Sequence, residues 1–367
     1  MTVDPRSVAI VVAGGGTGGH LYPGIAVARE LLRRVPSARV SFAGTARGLE
    51  ARVVPKEGFE LDLIRSAGLK GKSLTSRLRG AALLPMGLLD AWRIISRRRP
   101  SVVMGVGGYS SGPVVLAAAL RGIPTMVLEQ NAVPGLTNRL LARWVRAAAV
   151  TFDETRAHFR GRAFVAGNPV RSEFFTSGEA PRAPGRPSRA RILVLGGSQG
   201  ARGINLAMVA AAPELARRIP DIDIVHQTGE RDLDQVRQGY DRAGVAARIV
   251  GYLDAVADEM RAADLVIARA GATTLAELAA AGRPAVLVPF PAATDDHQRK
   301  NARVVADAGA ATVIDETELS GSKLAGVAEG LLQDPERRAG MSQAMRKLAR
   351  PDAAARIVDR LLELAGA

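Results

Sequence analysis

The chain of 367 residues has no cysteine. That excludes a disulfide framework, thiolate metal sites and a cysteine nucleophile, and makes a reducing compartment the natural setting. Histidine is scarce as well, with four residues, so imidazole chemistry rests on very few positions. Aromatic residues make up only 4%, and no helix-turn-helix, RNA-recognition or zinc pattern is present, so stacking on and reading of bases lack their residues. Long apolar runs are missing too. The run before the first glycines spans about six residues, too short for a signal-peptide core or a membrane span, and no later stretch approaches 18 uncharged apolar residues. The chain is therefore expected to stay in the cytoplasm, free or on a membrane surface.

What is present is 47% hydrophobic and 23% charged residues, a globular composition. The length corresponds to roughly two domains at about 150 residues each. Lys plus Arg number 50 against 36 Asp plus Glu, a formal charge of +14. That excess points to an anionic partner: a phosphate-bearing substrate, an acidic membrane or nucleic acid.

The sequence also repeats itself. AIVVAGGGTGGHLYPGIAVARELLRR, from Ala9 to Arg34, and RILVLGGSQGARGINLAMVAAAPELARR, from Arg191 to Arg218, share one plan of apolar strand, glycine loop and helix. The helices end in LRRVP at 32–36 and ARRIP at 216–220, an offset of 184 residues, and a second apolar run follows each. Two such units heading two halves imply an α/β fold of two Rossmann-like doubly wound domains, expected to face each other across a cleft. The expected division is 1–168, a linker over 169–190, a second domain over 191–345 and a terminal helix in 346–367. The linker reading rests on residues 177–189, SGEAPRAPGRPSR, with three Pro, two Gly and three Arg. The sequence does not decide whether the helix near Asp352 to Leu364 packs back across the boundary.

Gly14, Gly16 and Gly19 satisfy G-x-G-x-x-G between a strand and a helix, which suits a phosphate at the helix N-terminus or, more blandly, close packing of strand on helix. A dinucleotide would require an acidic residue at the end of the second strand, and Phe42 to Thr45 supply none. His20 ends this loop, either as a structural residue or as a base able to take a proton from a substrate hydroxyl. The second loop, Gly196 to Gly200, offers small residues and backbone N–H groups suited to a diphosphate. GGYSSGP at 107–113 is a further glycine turn, and EQN at 129–131 closes a buried strand with groups suited to sugar hydroxyls or amides. Glu277 stands in an otherwise apolar helix and needs a partner, whether a salt bridge or a ribose diol. The Asp-x-Asp pairs, Asp221 with Asp223 and Asp232 with Asp234, fall at a strand start and on a surface helix. Neither reads as a metal site, and no catalytic metal is expected.

Taken in order, GGTGGH (15–20), GLKGK (68–72), GGYSSGP (107–113), EQN (129–131), GNPVR (167–171), GGSQGARGIN (196–205), HQTG (226–229), GATTLAEL (271–278) and DHQ before Asn301 resemble the inverting GT-B N-acetylglucosaminyltransferases of peptidoglycan synthesis. The resemblance implies transfer of GlcNAc from UDP-GlcNAc to the C4 hydroxyl of MurNAc in undecaprenyl-pyrophosphoryl-MurNAc-pentapeptide (lipid I), giving lipid II and UDP without a cofactor. It implies His20 as the base. On the donor side it implies Glu277 at the ribose, the backbone near Leu253 at uracil, Ser198, Gln199 and Arg171 at the phosphates, and Gln298 and Asn131 at the sugar, with Thr17, Gly18 and Gly19 also facing the donor. Gly15, Gly16, Tyr109 and Glu129 fall to the acceptor. Leu128 stands where the family often has His, and Ala292 to Asp296 lack the polar residues associated with the family. The alternative is another GT-B UDP-sugar transferase, or an epimerase.

Leu84, Leu88, Trp92 and Ile95 recur at helical spacing among Arg77, Arg79, Arg93, Arg97, Arg98 and Arg99, which reads either as a core-facing helix with solvated arginines or as a basic amphipathic helix. The resemblance favours the second, with Leu84, Leu88 and Trp92 meeting the anionic cytoplasmic leaflet of the plasma membrane. Other cell-wall enzymes are conceivable partners under the same resemblance, whereas nucleic acid is not expected.

Overall fold

The computed structural model describes residues 8–66, 74–175, 190–197 and 200–366. The GLKGK motif, Ser198, Gln199 and residues 177–189 of the expected linker lie outside the described residues in whole or part. The chain forms two compact units, Met1–Val170 with Arg350–Ala367, and Arg171–Ala349.

The first unit runs β1 (Ala9–Gly14), α1 (Gly18–Arg34), β2 (Arg39–Gly44), α2 (Glu50–Lys56), β3 (Glu60–Leu63), α3 (Leu74–Arg98), β4 (Val102–Gly107), α4 (Ser111–Leu120), β5 (Thr125–Glu129), α5 (Leu136–Leu141), β6 (Ala147–Val150) and β7 (Ala163–Val165). Its sheet has the order β3-β2-β1-β4-β5-β6-β7, with every pairing parallel. Strands covered on both faces have no polar side to show, which is why β1 reads AIVVAG and is buried throughout. Alternate residues serve opposite cores. Ile10 and Val12 pack with Leu21, Ile25 and Leu31 of α1, while Val11 and Ala13 pack with Ile95 of α3 and Val114 and Ala118 of α4.

The second unit runs β8 (Arg191–Leu195), α6 (Arg202–Arg218), β9 (Asp223–Gln227), α7 (Leu233–Ala243), β10 (Arg248–Val250), α8 (Val256–Ala262), β11 (Leu265–Ala268), α9 (Ala272–Ala281), β12 (Ala285–Leu287), α10 (His297–Asp307), β13 (Ala311–Val313), α11 (Gly321–Leu332) and α12 (Pro335–Lys347). Its parallel sheet has the order β10-β9-β8-β11-β12-β13. Ile192 and Val194 meet Ile204, Met208 and Leu215 of α6 and Leu324 and Leu331 of α11. The final helix, α13 (Ala353–Ala365), belongs to the first unit, where Ile357, Val358 and Leu361 complete the core beneath α1. The second unit begins at Arg171, and the short turn Ser172–Phe175 packs on α8 and α9.

In both sheets the strand order reverses beside the first strand, between β1 and β4 and between β8 and β11. In open α/β sheets ligands collect outside the carboxyl ends of the strands at that switch point. The glycine loops leave from those strands.

Candidate functional site

In the first unit the loop from β1 leads straight into α1, with Thr17 as an extended N-cap residue. Gly16 and Thr17 are exposed, and Gly18, Gly19 and His20 are partly so. This helix end carries the positive pole of a 17-residue helix and suits an anion. His20 Nδ1 lies 3.3 Å from Thr17 Oγ1. With that nitrogen donating to the hydroxyl, Nε2 is the lone-pair nitrogen and can accept a proton. A Cβ on Gly107, at φ +100°, would stand 2.8 Å from His20 Cδ2 and 3.1 Å from Nε2. Glycine there leaves room for the imidazole. Gly108 lets the loop from β4 touch the loop from β1, since a Cβ on it would meet the Gly15 carbonyl oxygen at 2.5 Å. Tyr109, on that loop, is 52% exposed, and its carbonyl accepts from the Ser66 hydroxyl at 2.9 Å.

Glu129 ends β5 and is only 2% exposed. Its Oε1 accepts from Asn131 N at 3.0 Å and Asn131 Nδ2 at 3.3 Å. Its Oε2 accepts from Gly135 N at 3.0 Å and Asn138 Nδ2 at 2.9 Å. Four donors of the chain thus engage the carboxylate expected at the acceptor, which fits a group that shapes the Asn131–Gly135 loop. The Asn131 carbonyl accepts from Thr155 Oγ1 at 3.2 Å.

In the second unit, the loop from β8 is fastened by β9. Gly196 N donates to Gln227 O at 3.0 Å, and Gln227 Nε2 donates to Gly197 O at 3.0 Å and Gly251 O at 2.9 Å. One side chain therefore links the glycine loop with the segment that holds Leu253, itself buried beside an exposed Tyr252. Beneath this loop lies a buried chain of polar contacts. Asn205 Nδ2 donates to Thr228 O at 3.0 Å and Asp232 Oδ2 at 2.9 Å, which leaves its Oδ1 to accept from His226 Nε2 at 3.0 Å. Tyr240 then donates to His226 Nδ1 at 3.1 Å. Burial pushes His226 down to about 3, so it is a neutral structural residue. Asp232 belongs to this network rather than to a purely surface helix; Asp234 is exposed.

Glu277 lies on α9 beside the turn that carries Arg171. Burial pushes its carboxyl up to about 7, opposed by the Arg171 guanidinium and reinforced by Glu173. Arg171 pairs with Glu173 at 3.0 Å and lies over the Phe174 ring at 5.3 Å. Gln298 Oε1 accepts from Phe290 N at 3.0 Å. Arg171 and Glu277 are thus brought together, as are the Gly196 loop and the Leu253 segment. Ser198 and Gln199 lie outside the described residues.

On α3, Leu84 is 42% and Trp92 48% exposed, Leu88 is half-buried, and Met86 and Leu89 add exposed apolar surface. Arg121 stacks on Trp92 at 5.0 Å. Among the described residues no helix is long and apolar enough to cross a membrane.

Glu50, which accepts from the first glycine loop, carries no motif in the sequence, and Gln227 stands out only as part of HQTG. The signals are faint. Glu50 follows Gly44 and Gly48 with no periodicity, and only the fold brings Gly15 to it.

The sequence matches the glycosyltransferase family 28 N-terminal domain over residues 10–150 and the family's C-terminal domain over 191–357. The UDP-N-acetylglucosamine–N-acetylmuramyl-(pentapeptide) pyrophosphoryl-undecaprenol N-acetylglucosamine transferase of Anaeromyxobacter sp. (strain K) is 50% identical, covering 97% of this chain and 92% of the relative. The protein of the same name from Myxococcus xanthus (strain DK1622) is 47% identical, with 97% and 92% covered. The crystal structure of Acinetobacter baumannii MurG superposes with a TM-score of 0.74 at 29% identity, covering 97% of this chain and 99% of that one. The chain belongs to glycosyltransferase family 28 and has its GT-B fold.

Proposed function

We propose that this chain transfers GlcNAc from UDP-GlcNAc to the C4 hydroxyl of MurNAc in lipid I, with inversion at the anomeric carbon. The observation that carries this reading is the likeness to transferases of that name over 97% of the chain. Two local observations support it: His20 stands in the first turn of α1 in the first unit, and Arg171 lies beside Glu277 in the second. His20 Nε2 takes the proton of the C4 hydroxyl. The oxygen attacks the anomeric carbon from the face opposite the diphosphate, the bond from that carbon to the diphosphate oxygen breaks, and UDP departs with the electron pair. Developing charge on the leaving diphosphate meets the N-terminus of α6 and Arg171. Ser198 and Gln199 are assigned to the same diphosphate, Glu277 to the ribose, the Leu253 backbone to uracil, and Gln298 and Asn131 to the sugar. Thr17, Gly18 and Gly19 present their helix N-terminus to the substrates. Gly15, Gly16 and Tyr109 flank the acceptor, with Glu129 holding the adjoining loop.

The exposed face of α3 with Leu84, Leu88 and Trp92 is assigned to the membrane that carries the polyprenyl acceptor. Lys and Arg near an anionic leaflet contribute about 1 kcal/mol each, which supports a peripheral position on the cytoplasmic leaflet. UDP release measured with and without a water-soluble lipid I analogue, using UDP-GlcNAc, UDP-glucose and UDP-GalNAc, tests the reaction. Acceptor-dependent release confined to UDP-GlcNAc is expected, and release independent of acceptor refutes it.

A further inference from the structure

Behind the first glycine loop lies a carboxylate that the reaction scheme leaves unused. Glu50 is the first residue of α2 and is 1% exposed. Its Oε2 accepts from Gly16 N at 2.7 Å, and its Oε1 accepts from Thr45 N and Thr45 Oγ1, each at 2.8 Å. Three glycines make room for it. A Cβ on Gly15 or Gly44 would stand 2.4 Å from its side chain, and one on Gly48 2.1 Å from Oε2. Gly15 and the pair Gly44 and Gly48 come from different strand ends, so the fold leaves side chains out at three places to seat one buried charge.

A buried carboxylate is costly unless hydrogen-bonded, and this one is satisfied by the loop it supports. Its bond to Gly16 N–H turns that N–H inward, away from any ligand. The Gly15 carbonyl, on the same planar peptide, points the other way, against Gly108. The orientation of one peptide therefore fixes how the loop from β1 meets the loop from β4. Gly107 of that second loop borders the imidazole of His20, and Thr17, the residue after Gly16, contacts His20 Nδ1.

We propose that Glu50 is a positioning residue for the acceptor: by holding the Gly15–Gly16 peptide it sets the anion-facing N-terminus of α1 and the loop around His20, without touching substrate. This rests on the transferase reading above and deepens it, adding that Gly16 acts through its conformation and that its N–H is not a phosphate ligand. An amide cannot replace the carboxylate. In Glu50→Gln one of the two positions facing N–H groups becomes a donor, and donor then faces donor.

The test measures steady-state kinetics of the full chain against a soluble lipid I analogue, with UDP-GlcNAc affinity measured separately by calorimetry. Glu50→Gln is expected to raise the acceptor KM at least tenfold and lower kcat, while the Kd for UDP-GlcNAc, whose nucleotide contacts are assigned to the second unit, rises much less. Thr45→Val, which removes only the hydroxyl donor, is the milder variant should Glu50→Gln fold poorly; its expected effect is a rise of several-fold in acceptor KM. A merely structural role would lower the active fraction, and so kcat, with the acceptor KM unmoved. That result overturns the proposal, as does a fall in acceptor KM, which is what removing a negative charge near a diphosphate gives by itself. Acceptor-dependent UDP release by the wild-type chain tests the transferase reading separately, so the two failures are distinguishable.

Discussion

With the ribose assigned to Glu277, donor binding should depend on pH. Its carboxyl is pushed up to about 7 from an ordinary value of 4.5, because burial disfavours the charge by more than Arg171 restores. About nine-tenths of it is ionised at pH 8 and about one-tenth at pH 6. If the ribose diol donates to this carboxyl, the ionised form holds it more tightly by about 1 to 1.4 kcal/mol, the difference between a charge-assisted and a neutral hydrogen bond. That is a five- to tenfold preference, so the Kd for UDP-GlcNAc should rise about three- to fivefold from pH 8 to pH 6. By reciprocity the bound donor lowers the carboxyl by nearly one unit, and binding at pH 7 should release about a third to two-fifths of a proton. Calorimetry in buffers of different ionisation enthalpy reads both quantities, and UDP-GlcNAc serves better than UDP because it has no terminal phosphate to titrate. Glu277→Gln should abolish the proton release and flatten the profile. A wild-type Kd that is flat from pH 6 to 8, or equal proton release by Glu277→Gln, refutes the coupling of this carboxyl's ionisation to donor binding.

The same substitution should have an opposite effect on stability. Glu277 holds its proton more tightly when folded than when unfolded, so its contribution turns unfavourable as pH rises from about 4.5 and is fully unfavourable above about 7. The cost is at most about 3 to 4 kcal/mol, and smaller because the side chain is partly exposed to water; Glu277→Gln should raise the thermal midpoint of the unliganded protein at pH 8 but not at pH 4, and an unchanged midpoint at pH 8 contradicts this. His20→Ala should lower kcat by about 10²- to 10⁴-fold and leave the Kd for UDP-GlcNAc unchanged; retained turnover would assign the proton to another group. Changing Leu84, Leu88 and Trp92 to Ser should weaken sedimentation with anionic vesicles while leaving turnover of a soluble acceptor intact, and unaltered vesicle binding would show the patch to be misplaced. Leu361→Ala opens a cavity beneath α1 and should destabilise the first unit by about 2 to 5 kcal/mol, read by denaturant unfolding; a change under 1 kcal/mol would mean that α13 contributes little to that core.

The architecture was legible because its signals are local and repeated. A strand buried on both faces must be apolar throughout, and a helix that starts at a glycine loop is marked by the loop itself, so AIVVAGGG and RILVLGG announced β1 and β8. Ile357, Val358 and Leu361 mark one face of α13, but a face does not name its partner, and only the fold shows that partner to be α1. The place of His20 at the end of a glycine loop and the start of a helix was legible. Glu50 was not, because its role arises where two strand ends converge, and Gln227 was not, because its amide bridges Gly197 and Gly251 across 54 residues of chain. Glu129 reads as a polar strand end suited to a sugar, yet its oxygens are engaged by Asn131, Gly135 and Asn138. Spacing alone does not distinguish a carboxylate that binds a ligand from one that binds its own loop.

The most direct test of the account is the structure of the product formed from UDP-GlcNAc and a lipid I analogue by the purified chain, determined by mass spectrometry and NMR. The account predicts a single disaccharide with GlcNAc joined β-1,4 to MurNAc and one UDP released per disaccharide. Free GlcNAc, an epimerised sugar, or an α-configured or differently placed linkage would contradict it.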